Sequence, residues 1–292
     1  MENNQRLGFI LSILGAIIGM IGGMVIFVLT YEPYMWWEAN SPIAEEGCKV
    51  IIEEILPIIS DLSIIGGLLF AVSAYGFFTD EDWSVSVAIV GNTLCLLAGF
   101  WPTIPAMQMG LIPIWGIIFV PNLIIFLIMT HYVEGIPWIT VIFALLTGIA
   151  YVMCFLNGVA STNRMKLFPA SVATEPTIHA IFRALQRVSW ASAIGWGVTT
   201  IGILRRPNKD WVRIVALGSG ILAIITGYPV AFASSLSFGK FSMFFMAPIL
   251  STVLVIVPLW PSLWRRLVSP ESKSTAPLQT TNQSPNVSKA MK

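Results

Sequence analysis

The sequence predicts an all-α, polytopic bundle of transmembrane helices with about eight spans. Its 292 residues are 56% hydrophobic and 11% charged, with a mean hydropathy of +0.80, whereas a soluble domain carries roughly 25% charged residues. The apolar residues fall in blocks of about twenty, the length a helix rising 1.5 Å per residue needs to cross about 30 Å of hydrocarbon. The blocks show no period-two alternation. Their backbone groups are therefore satisfied in lipid by hydrogen bonds within each helix, which excludes a β-barrel. A net charge of +1 gives no global attraction to nucleic acid.

The first block, 8–30, follows Arg6. It is about twice the length of a signal-peptide core and lacks a small-residue cleavage site, so it reads as a retained span. Gly15, Gly19 and Gly23 recur along it at four-residue spacing, a stripe that admits a second helix closely. That stripe suits packing inside the bundle, or contact with a second copy or a partner subunit. The loop 31–57 carries Tyr31, Tyr34, Trp36 and Trp37, which read as an interfacial aromatic belt. It also carries Glu45, Lys49 and Glu53 at the spacing of a short surface helix.

Blocks at 58–78, 85–101 and 111–130 follow. Pro102, Pro105 and Pro113 crowd the junction of the last two, which together are too long for one crossing and are predicted as two helices. The remaining blocks are 137–157, 189–204, 214–236 and 243–264. Small residues recur at Ser63, Gly67 and Ala71, at Ser189, Ala193 and Gly197, and at Ala223, Gly227, Ala231 and Ser235. No internal repeat aligns, although Trp-Pro pairs occur at 101–102 and 260–261.

Between the fifth and sixth blocks, Thr174, Glu175 and Pro176 form a helix-start signature. Ile178, Ile181, Phe182, Leu185 and Val188 then share one face, and His179, Arg183 and Arg187 the opposite one. The pattern predicts a short amphipathic helix at headgroup level with membrane lipid, anionic above all, as its partner. Residues 1–268 form the transmembrane domain, and 269–292, rich in Ser, Thr, Pro, Gln and Asn, reads as a disordered cytoplasmic tail. Its two glycosylation-type triplets, at Asn282 and Asn286, read as chance matches.

With eight spans, ten of the sixteen basic residues fall on the side of the termini: Arg6, Arg205, Arg206, Lys209, Arg213, Arg265, Arg266, Lys273, Lys289 and Lys292. The positive-inside rule therefore places both termini in the cytoplasm and the chain in the cell membrane.

Candidate ligand-binding residues are those that hydrocarbon penalises. Asn92 and Asn122 lie near the middle of the third and fourth spans, Asn122 directly after Pro121. Pro229 frees the carbonyl of Ile225 beside Tyr228. Asp61 is an acid inside the second span, close to its end. Polar groups and broken helices at mid-membrane suit a small solute site, but they equally suit structural hydrogen bonds and, for Asp61, interfacial water. Cys48, Cys95 and Cys154 have neither His nor Cys neighbours in sequence, and the two histidines fall at opposite ends of the spans. No metal, haem or other cofactor is expected, and no catalytic motif is present. Function thus divides between a structural or complex-subunit role and a transporter or small-ligand binder.

Overall fold

The computed structural model describes residues 3–40, 51–108, 110–167, 176–205, 209–238 and 241–268. Helices α1 (Asn3–Ile17) and α2 (Gly23–Asn40) run into each other through a π-helical turn at Ile18–Gly22. Then come α3 (Leu56–Phe78), α4 (Ser84–Phe100), the short α5 (Thr103–Gln108) and α6 (Gly116–Ile128), the last prolonged by a π-helical turn at Met129–Val133. The C-terminal half comprises α7 (Trp138–Leu167), α8 (Pro176–Arg205), α9 (Asp210–Phe238), α10 (Met246–Leu259) and α11 (Pro261–Val268). No strand occurs among the described residues.

This is a helical membrane protein. Among the described residues, five stretches are long and apolar enough to cross a bilayer: Asn3–Trp37, Ile52–Phe78, Gly116–Val133, Trp138–Thr162 and Asp210–Leu236. The pair Met243–Leu259 and Pro261–Val268, bent by 90°, makes a sixth when it is counted as one broken span. Helix α4 is apolar but has 17 residues, and α8 mixes Ser, Thr, His and Arg into its 30 residues. The difference between six spans and eight lies in those two helices.

Each half closes on itself. Helix α3 packs on α1 and α4, α6 packs on α4, and α6 returns against the π-helical turn at Ile18–Gly22 and α1. In the second half α8 packs between α7 and α9, α10 packs on α9, and α10 returns against α7. Side chains interleave at the seam: Ile89 and Phe126 enter the apolar cluster of the second half, and Val152 and Val159 enter that of the first. The joint between halves is residues 134–137. Gly135 turns it with φ +74°, a region L side chains avoid. His131 Nδ1 donates to the Ile136 carbonyl at 2.8 Å, and its ring stacks on Trp138 at 4.2 Å.

Three expectations are corrected. The basic stretch before the sixth block is not a separate interfacial helix: it forms the first turns of α8, which runs unbroken from Pro176 to Arg205 because no proline follows Pro176 within it. The last block does not run to residue 264. Helix α10 stops at Leu259, Trp260 is extended (ψ 108°) as the residue before Pro261 prefers, and α11 leaves at 90°. Tyr34 does not belong to the aromatic belt either; it is 4% exposed inside a cluster with Trp101 and Trp115, whereas Trp36 is 68% exposed. The Glu45–Lys49 pairing, the Thr174–Glu175 helix start and the tail 269–292 lie outside the described residues.

Candidate functional site

Helix α1, the π-helical turn and the start of α2 rest on α3 through Gly15, Gly19 and Gly23. A Cβ on Gly15 would stand 2.6 Å from the Phe70 ring, one on Gly19 2.6 Å from the Gly67 Cα, and one on Gly23 2.8 Å from the Ser63 Cβ. Ser63 Oγ donates to the Gly19 carbonyl at 3.0 Å and Ser60 Oγ to the Gly23 carbonyl at 3.3 Å. The stripe thus packs within the chain, against α3.

Asn92 and Asn122 are held at the α4–α6 contact. A Cβ on Gly99 would come within 2.5 Å of the Phe119 nitrogen, and the antiparallel register this sets puts Asn122 opposite Leu96, about 6 Å along the axis from Asn92. Both side chains are sealed from solvent, at 2% and 0% exposure. Asn122 Nδ2 donates to the Ile118 carbonyl at 2.8 Å, one turn back and beside the carbonyl that Pro121 leaves unpaired. Asn122 Oδ1 and both polar atoms of Asn92 have no hydrogen-bond partner among the described residues. Buried amide atoms without partners cost about 1–3 kcal/mol each.

Tyr228 is elsewhere. Its hydroxyl pairs with Thr252 Oγ1 at 3.1 Å, linking α9 to α10 within the second half. Asp61 is exposed on α3, two residues before Ser63 and about one and a half turns from the helix start. The four residues therefore do not converge: two are buried in the first half, one ties two helices of the second, and one faces outward.

Of the residues read as headgroup ligands, Arg183 and Arg187 are exposed and His179 is half-buried, while Phe182 on the opposite face is buried against Phe244 at 5.7 Å between ring centroids. The amphipathic division is real, carried by a long helix. The second half also contains a chain of paired polar groups. Trp196 Nε1 donates to Ser251 Oγ at 3.1 Å, Thr147 and Thr200 pair at 2.9 Å, Ser192 donates to the Ser219 carbonyl at 2.9 Å, and Asn157 donates to the Phe244 carbonyl at 3.0 Å.

The sequence reading missed two groups. Tyr34 and Trp101 bury a hydroxyl and an indole N–H without a partner among the described residues, and no sequence signal separates them from belt aromatics. Arg265 and Arg266 sit on α11, which the Pro258–Pro261 bracket and an amphipathic run of eight residues do signal. Among the described residues no group of three His, Cys, Asp or Glu side chains is placed to hold a metal ion. No protein family, no curated protein and no solved structure matches the chain.

Proposed function

We propose that the chain is a structural component of a membrane assembly: an eight-pass bundle in the cell membrane, both termini cytoplasmic, that holds shape and presents surface to lipid and to other subunits. The observation that supports this is the dispersal of its mid-helix polar groups. Tyr228, Thr147, Ser192 and Trp196 are spent on helix-to-helix hydrogen bonds, and Asp61 faces outward, so they define no shared path for a solute. Partner subunits would meet a face other than the glycine stripe of α1, which α3 fills. For the orientation, the support is the gathering of Arg6, Arg205, Lys209, Arg213, Arg265 and Arg266 at one end, the end the positive-inside rule assigns to the cytoplasm.

The test is the double variant Asn92→Leu with Asn122→Leu, purified beside the wild type and screened for thermal stabilisation by a panel of small polar solutes. A structural protein keeps its folded yield in both forms and gains nothing from any solute. A solute that raises the melting temperature of the wild type and not of the variant overturns the reading. It would favour the second one, a small-ligand or transport site, for which the specific support is the unpartnered Asn92 carboxamide one turn from Asn122.

A further inference from the structure

Helix α11 is built to lie along a membrane surface. It leaves α10 at 90°, at the end of the bundle that also carries Arg205, Lys209 and Arg213. At 3.6 residues per turn, Leu263, Trp264, Leu267 and Val268 occupy an arc of about 140°, and Ser262, Arg265 and Arg266 take the opposite side. Trp264 and Leu267 are buried in the cluster of the second half, while Leu263 and the preceding Trp260 are 40% and 61% exposed. Both ends of α11 are tied down. Thr140 Oγ1 donates to the Leu267 carbonyl at 2.7 Å, and Arg213 Nε donates to the Pro258 carbonyl at 2.8 Å just before the corner. Trp260 at the corner and Leu263 thus stay outward beside the guanidinium groups of Arg265 and Arg266, while Trp264 and Leu267 face the bundle, an arrangement that suits the level where acyl chains meet headgroups.

We propose that Arg265 and Arg266, with Lys209 at the neighbouring start of α9, bind the phosphate of an anionic phospholipid. Both arginines are exposed. Arg265 spends its Nε on the Pro261 carbonyl at 3.3 Å, which leaves its terminal nitrogens outward, and Arg266 has no ion pair or side-chain hydrogen bond among the described residues. The occupant is an amphiphile because the apolar surface of Trp260 and Leu263 adjoins the guanidinium groups, and a phospholipid covers both at once. Charge localises the site to the second half, since the same end of the first half presents Asp80, Glu81, Asp82 and Glu134. The proposal holds whether the bundle is a scaffold or a carrier.

The experiment uses the full chain in detergent, titrated with phosphatidylglycerol, phosphatidylcholine, glycerol phosphate or inorganic phosphate, with bound lipid counted by native mass spectrometry. Phosphatidylglycerol is expected to bind more tightly than phosphatidylcholine. R265Q with R266Q should weaken it by about 25-fold, at about fivefold for each basic residue near an anionic surface. Arg6→Gln, a loss of charge at the same end of the first half, should leave binding unchanged, and neither soluble phosphate should compete at millimolar concentration. Because the arginines are exposed the double variant should fold; R266Q alone serves otherwise, and the comparison of the two lipids needs no variant. Equal affinity for the two lipids, equal weakening by Arg6→Gln, or displacement by soluble phosphate would each overturn the proposal, the last by showing an anion site that does not require a lipid.

Discussion

In the N-terminal half glycine meets backbone as well as side chains, whereas in the C-terminal half every close contact of a described glycine is with a side chain. A Cβ on Gly67 would meet the Met20 nitrogen at 2.5 Å, and one on Gly66 the Gly91 carbonyl oxygen at 2.6 Å. By contrast Gly220 faces Val255 Cγ2 at 2.8 Å and Gly227 faces the Pro248 ring at 2.8 Å. Ser60 and Ser63 of the first half reach backbone carbonyls of α2 and the π-helical turn, and side-chain pairs occur in both halves, Ser12 with Ser73 and Trp115 with Thr30 in the first, Thr147 with Thr200 and Trp196 with Ser251 in the second. In lipid, where helices gain nothing from burying apolar surface against one another, both devices substitute for the hydrophobic effect. Contact with backbone depends on atoms that cannot move, and contact with side chains on groups that can turn.

The sharpest way to break that contrast is a methyl group in each half. Gly67→Ala pushes into backbone that has nowhere to go and should cost about 3 kcal/mol, the upper end for overpacking, while Gly220→Ala meets a valine methyl and should cost about 1 kcal/mol. Thermal unfolding of both variants in one detergent measures the difference, and equal losses would erase the distinction. Next is Asn92→Leu, which removes two unpartnered polar atoms and should raise stability by about 1 kcal/mol; a clear loss would reveal a partner for that amide. Trp196→Phe deletes the indole donor to Ser251 and should cost about 1 kcal/mol, within the range seen for hydrogen bonds between membrane helices. The smallest effect concerns the tie between halves. Arg205 reaches Glu134 at 2.5 Å and also Ser86, but the pair is 25% and 28% exposed, so Arg205→Gln should shift stability by less than about 0.5 kcal/mol, read as a small, salt-dependent change in midpoint.

The class of fold and the small-residue stripes were legible because each is a periodicity: twenty apolar residues set a crossing, and four-residue spacing puts Gly15, Gly19 and Gly23 on one face. What faces that stripe was not legible, since period fixes a side of a helix and says nothing of whether Phe70, Gly67 or another chain will lie there. The corner at Trp260 was hidden for a related reason. Trp264 and Leu267 are as apolar as a span, so hydropathy carried the last block past Leu259, and the backbone restriction imposed by Pro261 outweighed it. Arg183 and Arg187 were placed on the correct face of a helix but the wrong length of one, because Leu185, Val188 and Ser189 continue its pattern into the span. Of the site, sequence named Asn92 and Asn122 by their cost in hydrocarbon; that Tyr228 and Asp61 stand apart from them depends on the order in which helices pack, which residue type does not encode.

The joint at residues 134–137 bears on how the protein is made. Helix α6 already returns to α1 and the adjoining π-helical turn, so the helices of the first half can pair with one another before α7 is made. The left-handed turn at Gly135 and the His131–Trp138 stack then hand the incoming chain straight to Ile89 and Phe126, leaving it no length in which to wander. Neighbours in sequence are thus largely neighbours in space.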